Sequence, residues 1–219
     1  MNAVMILPRR FLKLAFHLFY NQFAFTYDTV AWLVSFGQWR AWGATALDRV
    51  RGPRVLELGH GPGHLLVTLT RSGFHPVGVD LSPNMIRLAQ RRLQRAGLRT
   101  PQVRARAPWL PFRSGEFDSV VATFPTEYLF RVDTLREIQR VLTADGRLIV
   151  VVGASLGRSG PSARFIDWLY TITGQREAPA ADEPSAFEQA GLIAEVETDT
   201  IGRSEVTLIV AEKIARHAA

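Results

Sequence analysis

The 219-residue sequence contains no cysteine. That absence removes a disulfide framework, thiolate zinc and iron–sulfur centres, and a thiol nucleophile together. Histidine is scarce: there are five, and only His60 and His64 lie close together. No metal site is expected. Lysine is nearly missing, since Lys13 and Lys213 are the only two among 26 basic residues. Long apolar runs are missing too. The best candidate, Leu14 to Phe36, is broken by His17, Asn21, Gln22 and Asp28, whereas a membrane-spanning helix needs about 20 predominantly apolar residues. No small-residue cleavage site follows it, so neither a signal peptide nor an anchor is expected. Without cysteine, a cytoplasmic protein is the simplest reading.

What is present is an ordinary globular composition: 47% apolar and 21% charged. That is enough to bury a core in one domain. The net charge is +6, with a sequence pI near 10.4. An arginine-rich excess follows either from a codon preference or from an attraction to anionic partners. Residues 1–50 are rich in aromatics, including Phe16, Phe19, Tyr20, Trp32, Trp39 and Trp42, behind Arg9, Arg10 and Lys13. This stretch is expected to be a helical lid over a hydrophobic pocket, with contact to a membrane interface as a compatible second role. Residues 51–219 are expected to form the main domain.

From Gly52 the pattern becomes regular. Arg54 to Leu58 reads as a buried strand by length and flanks. Leu65 to Ser72 reads as a helix, and Val77 to Val79 as a strand ending at Asp80. Ser82-Pro83 marks a helix start, with serine as N-cap and proline in the first turn. That helix runs to about Ala96, closed by Gly97. Gln102 to Arg104 and Phe117 to Thr123 are further strands, Val132 to Leu142 is a helix, and Arg147 to Val152 is a strand after an Asp145-Gly146 turn. Phe165 to Ile172 reads as a short helix, Gly174 to Pro184 as a polar loop, and Phe187 to Ala190 as a helix end. Ile193 to Thr200 and Glu205 to Glu212 read as two closing strands around Gly202. Alternating strands and helices predict an α/β fold with a mostly parallel, seven-stranded sheet covered on both faces.

The chemistry-bearing segment is Val55-Leu56-Glu57-Leu58-Gly59-His60-Gly61-Pro62-Gly63. A strand running into glycines turns tightly and lets a ligand approach backbone N–H groups at a helix N-terminus. The spacing is not that of the G-x-G-x-x-G dinucleotide fingerprint, whose sixth position is here His64. Asp80 ends the next strand, 21 positions after Gly59. A carboxylate there is placed to accept the two hydroxyls of a ribose lying across the strand ends.

Together with Leu110-Pro111-Phe112, Glu116-Phe117-Asp118 and Arg140-Val141-Leu142 before Asp145-Gly146-Arg147, these motifs resemble the class I S-adenosylmethionine-dependent methyltransferases. The resemblance spans residues 52 to 153. Within that superfamily the chain looks most like the ubiquinone/menaquinone-biosynthesis group, with Tyr27-Asp28 and Ser35-Phe36-Gly37 resembling its N-terminal region. The resemblance implies a Rossmann-like domain that takes S-adenosylmethionine, yields S-adenosylhomocysteine and uses no metal. It places Gly59 and Gly61 along the methionine part, with Glu57 orienting its amino end or bracing the loop. Asp80 would hold the ribose, Leu81 and Met85 would pack on the adenine, and Ala107 would offer backbone groups to the adenine edge. Thr123 and Phe124 would face the methionine, and Tyr27 would close the pocket.

Two departures from the family pattern stand out. Arg106 occupies the position where an acid often accepts from the adenine amino group, and a cation cannot accept that bond. His60 stands where small residues are common, either near the transferred methyl or bracing the turn. If the acceptor is a carbon acid, a base must take a proton; the candidates are His60, Glu127, Tyr128 and Asp28. The expected acceptor is a hydrophobic small molecule or lipid, such as a quinone precursor. A phospholipid amine headgroup is the alternative; RNA methylation and a non-catalytic, cofactor-binding role rank lower. The long acid-free stretch between Leu81 and Gly115 carries Arg87, Arg91, Arg92, Arg95, Arg99, Arg104, Arg106 and Arg113. It reads as a solvated face or as an attraction to anionic headgroups at the inner face of a membrane; no nucleic acid is expected. Oligomeric state is not legible.

Overall fold

The structure is a computed structural model that describes residues 35, 37–156 and 184–214. The expected elements at 165–172 and 174–183, with most of the expected lid, lie outside the described residues.

The elements in chain order begin with α1 (Trp39–Ala44), followed by a 3₁₀ turn at Thr45–Arg49. Then come β1 (Arg54–Leu58), α2 (His64–Arg71), β2 (His75–Asp80), α3 (Pro83–Arg95) and β3 (Gln102–Arg104). β4 (Phe117–Thr123), a 3₁₀ turn at Glu127–Phe130 and α4 (Val132–Val141) follow. The chain continues as β5 (Leu142–Leu156), α5 (Pro184–Gln189), β6 (Leu192–Ile201) and β7 (Ser204–Lys213). The seven strands form one sheet in the order β3-β2-β1-β4-β5-β7-β6. β1 to β5 pair parallel with one another, while β7 runs antiparallel to both β5 and β6.

The middles of β4 (Val120 to Ala122) and β5 (Leu148 to Val152) are continuous apolar runs because both faces are covered there. Val120, Ala122, Leu148 and Val150 point to the layer that holds Leu135 and Ile138 of α4 and Phe187 of α5. The alternate residues Val121, Ile149 and Val151 point to the layer that holds Leu65 and Leu69 of α2 and Trp42 of α1. Trp42 and Ala46 are fully buried, so this described end of the expected lid is packed into the body of the domain.

Two boundaries differ from the sequence reading in an informative way. β5 starts at Leu142, directly after α4, and not at Arg147. Pairing with β4 jumps from Phe117–Leu142 to Ser119–Arg147, so the Asp145-Gly146 turn is a bulge inside a longer strand. At its far end β5 is prolonged to Leu156 by antiparallel pairing with β7. Ser82 caps α3 as expected, its hydroxyl accepting from the Met85 N–H at 3.4 Å.

Candidate functional site

The strand order reverses between β1 and β4: the chain first builds outward through β2 and β3, then returns to the other side of β1. Ligands of open parallel sheets bind outside the carboxyl ends of the strands at such a reversal. Here the loop after β1 and the loop after β4 face each other across it.

The first loop is tied to β2. The Gly59 N–H donates to Val79 O at 2.7 Å and the His60 N–H to the same oxygen at 3.2 Å. Gly59, Gly61 and Gly63 all take positive φ, which glycine adopts without a Cβ penalty. Asp80 is buried and holds the turn from the other side: its Oδ2 accepts from Gly61 N–H at 2.9 Å and its Oδ1 from Ser82 N–H at 2.8 Å. Each carboxylate oxygen still has acceptor capacity, so Asp80 can brace the loop and take hydroxyl donors together.

Glu57 is buried at the end of β1, and its Oε2 has no hydrogen-bond partner. Burial first, and the Asp80 charge second, push its carboxyl well above the usual glutamate value. An orphaned buried acceptor is costly; a cationic group arriving at the loop would give it a partner.

His60 is buried as well, and its ring lies on the core side of the loop. A β-carbon built on Gly78 would sit 2.8 Å from His60 Cδ2 and 2.9 Å from Leu66 Cδ1. His60 Nδ1 lies 2.7 Å from Gly61 O, and Nε2 has no partner. Desolvation lowers its pKa, so the ring stays neutral. In this position the ring braces the glycine turn against β2.

Across the reversal, Tyr128 reaches back over the glycine turn: a β-carbon on Gly59 would lie 2.6 Å from Tyr128 Oη. Burial and the Asp80 charge raise the phenol above its ordinary value of 10, so Tyr128 remains protonated and is a hydrogen-bond donor, not a base. Glu127 is exposed on the same turn. Phe124 is buried with φ +49°, uncommon for a bulky residue. Its ring lies 3.9 Å, centroid to centroid, from that of Trp39 in α1, and Gly43 of α1 packs near Thr123. The described end of the N-terminal stretch therefore walls the β4 side of the crevice.

On the β2 side, Leu81 is 54% exposed and available to a ligand, whereas Met85 is fully buried and offers no surface. The first turn of α3 points Met85 into the core. Ala107 is buried in the turn after β3, and Arg106 points outward into solvent. Tyr27 and Asp28 lie outside the described residues. Trp39, one of the aromatics expected in the lid, meets Phe124 only once α1 and the β4 loop are folded together, a contact that residue spacing does not show. A cavity of about 870 Å³ lined by Arg54, Phe112 and Glu116 lies at the opposite end of the strands and contains none of these residues. Among the described residues no cluster suits a metal ion, and no helix is long and apolar enough to cross a membrane.

Residues 55–146 match the family model described as a methyltransferase domain. A demethylmenaquinone methyltransferase of Thermus thermophilus is 34% identical over 138 residues, 60% of this chain and 63% of that protein. The ubiquinone/menaquinone biosynthesis C-methyltransferase of Geotalea uraniireducens is 31% identical over 134 residues, 57% of each chain. The chain thus spans less than two thirds of the length of either relative. Among solved structures, the Streptomyces coelicolor geranyl diphosphate C-methyltransferase, in complex with Mg2+, geranyl diphosphate and S-adenosyl-L-homocysteine, shares the fold. It has a TM-score of 0.62, with 17% identity over 79% of this chain and 78% of that one.

Proposed function

We propose that this chain, whose residues 55–146 match a methyltransferase-domain model, is a class I S-adenosylmethionine-dependent methyltransferase that methylates a hydrophobic small molecule of the quinone-precursor type. One observation carries the reading: a buried, unpartnered Glu57 carboxyl beside Asp80, under a glycine turn at the strand-order reversal. That donor set fits the cofactor. Glu57 would receive its ammonium, Asp80 its ribose hydroxyls, and Leu81 with the Ala107 backbone its adenine. With Arg106 turned outward, a backbone carbonyl must accept from the adenine amino group.

The bound cofactor supplies an activated methyl on a sulfonium, so the chain's task is alignment and exclusion of water, worth roughly 7–11 kcal/mol in favourable cases. Thr123, Phe124 and Trp39 wall the crevice. The Tyr128 hydroxyl lies over the glycine turn, where it can donate to a bound group. For a carbon acceptor, the new C–CH3 bond forms as the S–CH3 bond breaks, and the displaced C–H proton needs a base. Glu127 is the carboxylate best placed for it, since His60 faces the core and Tyr128 stays protonated. Support for a quinone-type acceptor comes from the activities of the named relatives and from the aromatic N-terminal stretch.

The test is label transfer from methyl-labelled S-adenosylmethionine into a lipid extract, resolved into quinone and phospholipid fractions. Label in the quinone fraction is expected. Label in the phospholipid amines replaces the acceptor, and label only in RNA overturns the reading.

A further inference from the structure

Arginines in this chain fall into distinct groups. Some are matched by acids: Arg49 with Glu197 and Asp199, Arg54 with Asp118, Arg140 with Glu137, Arg147 with Glu212; Arg40, Arg71, Arg113, Arg136 and Arg203 are exposed and scattered, with no acid pair among the described residues. Arg87, Arg91, Arg95, Arg99, Arg104 and Arg106 are all exposed, and among the described residues no acid pairs with any of them. Arg87 reaches only the Pro83 carbonyl and Asn84, and Arg104 the Leu81 carbonyl at 3.0 Å. Codon preference explains many arginines but not the clustering of six exposed ones on an acid-free stretch of chain. Arg87, Arg91 and Arg95 repeat at i, i+4 along α3, an arrangement that costs helix stability through like-charge repulsion. The face lies at the β3 edge of the sheet, while the opposite edge strand carries Glu195, Glu197 and Asp199. Glu197 and Asp199 are engaged by Arg49, whereas the β3 end carries its positive charge without acids, a field that attracts anionic surfaces.

The same end exposes two large apolar side chains. Trp109 is 68% exposed and its backbone pairs with Arg106; Leu81 is 54% exposed directly after Asp80. An exposed tryptophan among unpaired arginines has the chemistry of the headgroup region, where the indole sits at the apolar boundary and cations meet anionic lipid. We infer that the α3–β3 face, with Trp109, docks this protein on an anionic phospholipid bilayer. Leu81 links the face to the crevice, so docking turns the mouth of the site toward the lipid phase, where a hydrophobic acceptor would reside. In that purpose the inference rests on the proposed acceptor, but the docking itself requires no catalysis.

The test is co-sedimentation of the full chain with phosphatidylcholine vesicles, with and without roughly 30% phosphatidylglycerol, at about 20 mM and about 500 mM salt. Binding to the anionic vesicles alone, lost at high salt, is expected. R91E/R95E/R99E should weaken it by at least about 100-fold, R91K/R95K/R99K should retain it, and W109A should weaken it without removing its salt dependence. Unchanged circular dichroism and unchanged S-adenosylmethionine calorimetry in the glutamate variant separate loss of docking from loss of fold. R91E alone keeps the test valid if the triple variant is unstable, since it removes a repulsion. No sedimentation with anionic vesicles at low salt, equal sedimentation of the glutamate variant, or binding to a single-stranded RNA in place of vesicles overturns the inference. A wild type that binds vesicles but not the cofactor leaves docking intact and sinks the methyltransferase reading.

Discussion

Tyr128 Oη fills the space in which a side chain on Gly59 would stand, 2.6 Å from the position of its β-carbon. The two residues come from the loops after β4 and β1, on opposite sides of the strand-order reversal. Each loop therefore limits what the other can carry, and the crevice is built by both.

G59A should be damaged twice. Its φ of +72° costs an alanine about 1–2 kcal/mol, and its β-carbon must displace the Tyr128 hydroxyl. We expect a lowered Tm and at least about tenfold weaker cofactor binding by calorimetry. Y128F removes the oxygen, so G59A/Y128F should recover the steric part and not the dihedral part. A G59A protein that binds the cofactor like wild type would show that this turn does not contact it.

Glu57 gives a pH signature. Its carboxyl is raised in the folded chain, so between the ordinary value of 4.5 and its raised value the folded state holds a proton that the unfolded state has released. Stability on this account is greatest below about pH 4.5 and falls as pH rises toward the folded-state value. E57Q removes that dependence: its Tm should exceed wild type at pH 8, by the equivalent of about 1–3 kcal/mol, with the gap closing toward pH 4. Cofactor affinity should drop in the same variant. A thermal-shift series across pH that shows parallel curves would remove the raised carboxyl from the account.

D80N tests the hinge of the glycine turn. Asparagine has one acceptor oxygen where aspartate has two, so either the Gly61 or the Ser82 N–H loses its partner. The expected cost is about 1.5–3 kcal/mol for a hydrogen bond to a charged group, with cofactor affinity at least about tenfold lower. Intact affinity with unchanged Tm would contradict both roles of Asp80.

Gly78 and His60 separate a brace from a base. G78A puts a β-carbon 2.8 Å from the His60 ring and 2.9 Å from Leu66 Cδ1, an overpacking worth about 1–3 kcal/mol of stability. H60A should lower Tm yet keep most of the methyl-transfer rate, whereas E127Q should reduce the rate for a carbon acceptor by about 100-fold or more. The reverse pattern, with H60A inactive at unchanged Tm, would return the histidine to the reaction.

Much of the fold was legible in the chain. The strands expected at Arg54–Leu58, Gln102–Arg104 and Phe117–Thr123 have those bounds in the structure, because short apolar runs between glycines and turns leave little else for the backbone to do. The Ser82-Pro83 start of α3 was legible for the same local reason. The prolongation of β5 was not, since it depends on pairing with β7, about fifty residues later.

The site divides along the same line. Sequence alone determined that a glycine turn follows β1, that Asp80 ends β2, and that the arginines of α3 lack acids nearby in the chain, because spacing and composition are local properties. Only the tertiary structure decided that His60 turns inward onto Gly78, that Met85 is buried, that Glu57 lacks a partner, and that Tyr128 overlies Gly59. Each of these depends on which residue from a distant strand or loop fills the adjoining space, and close packing settles that for all of them at once.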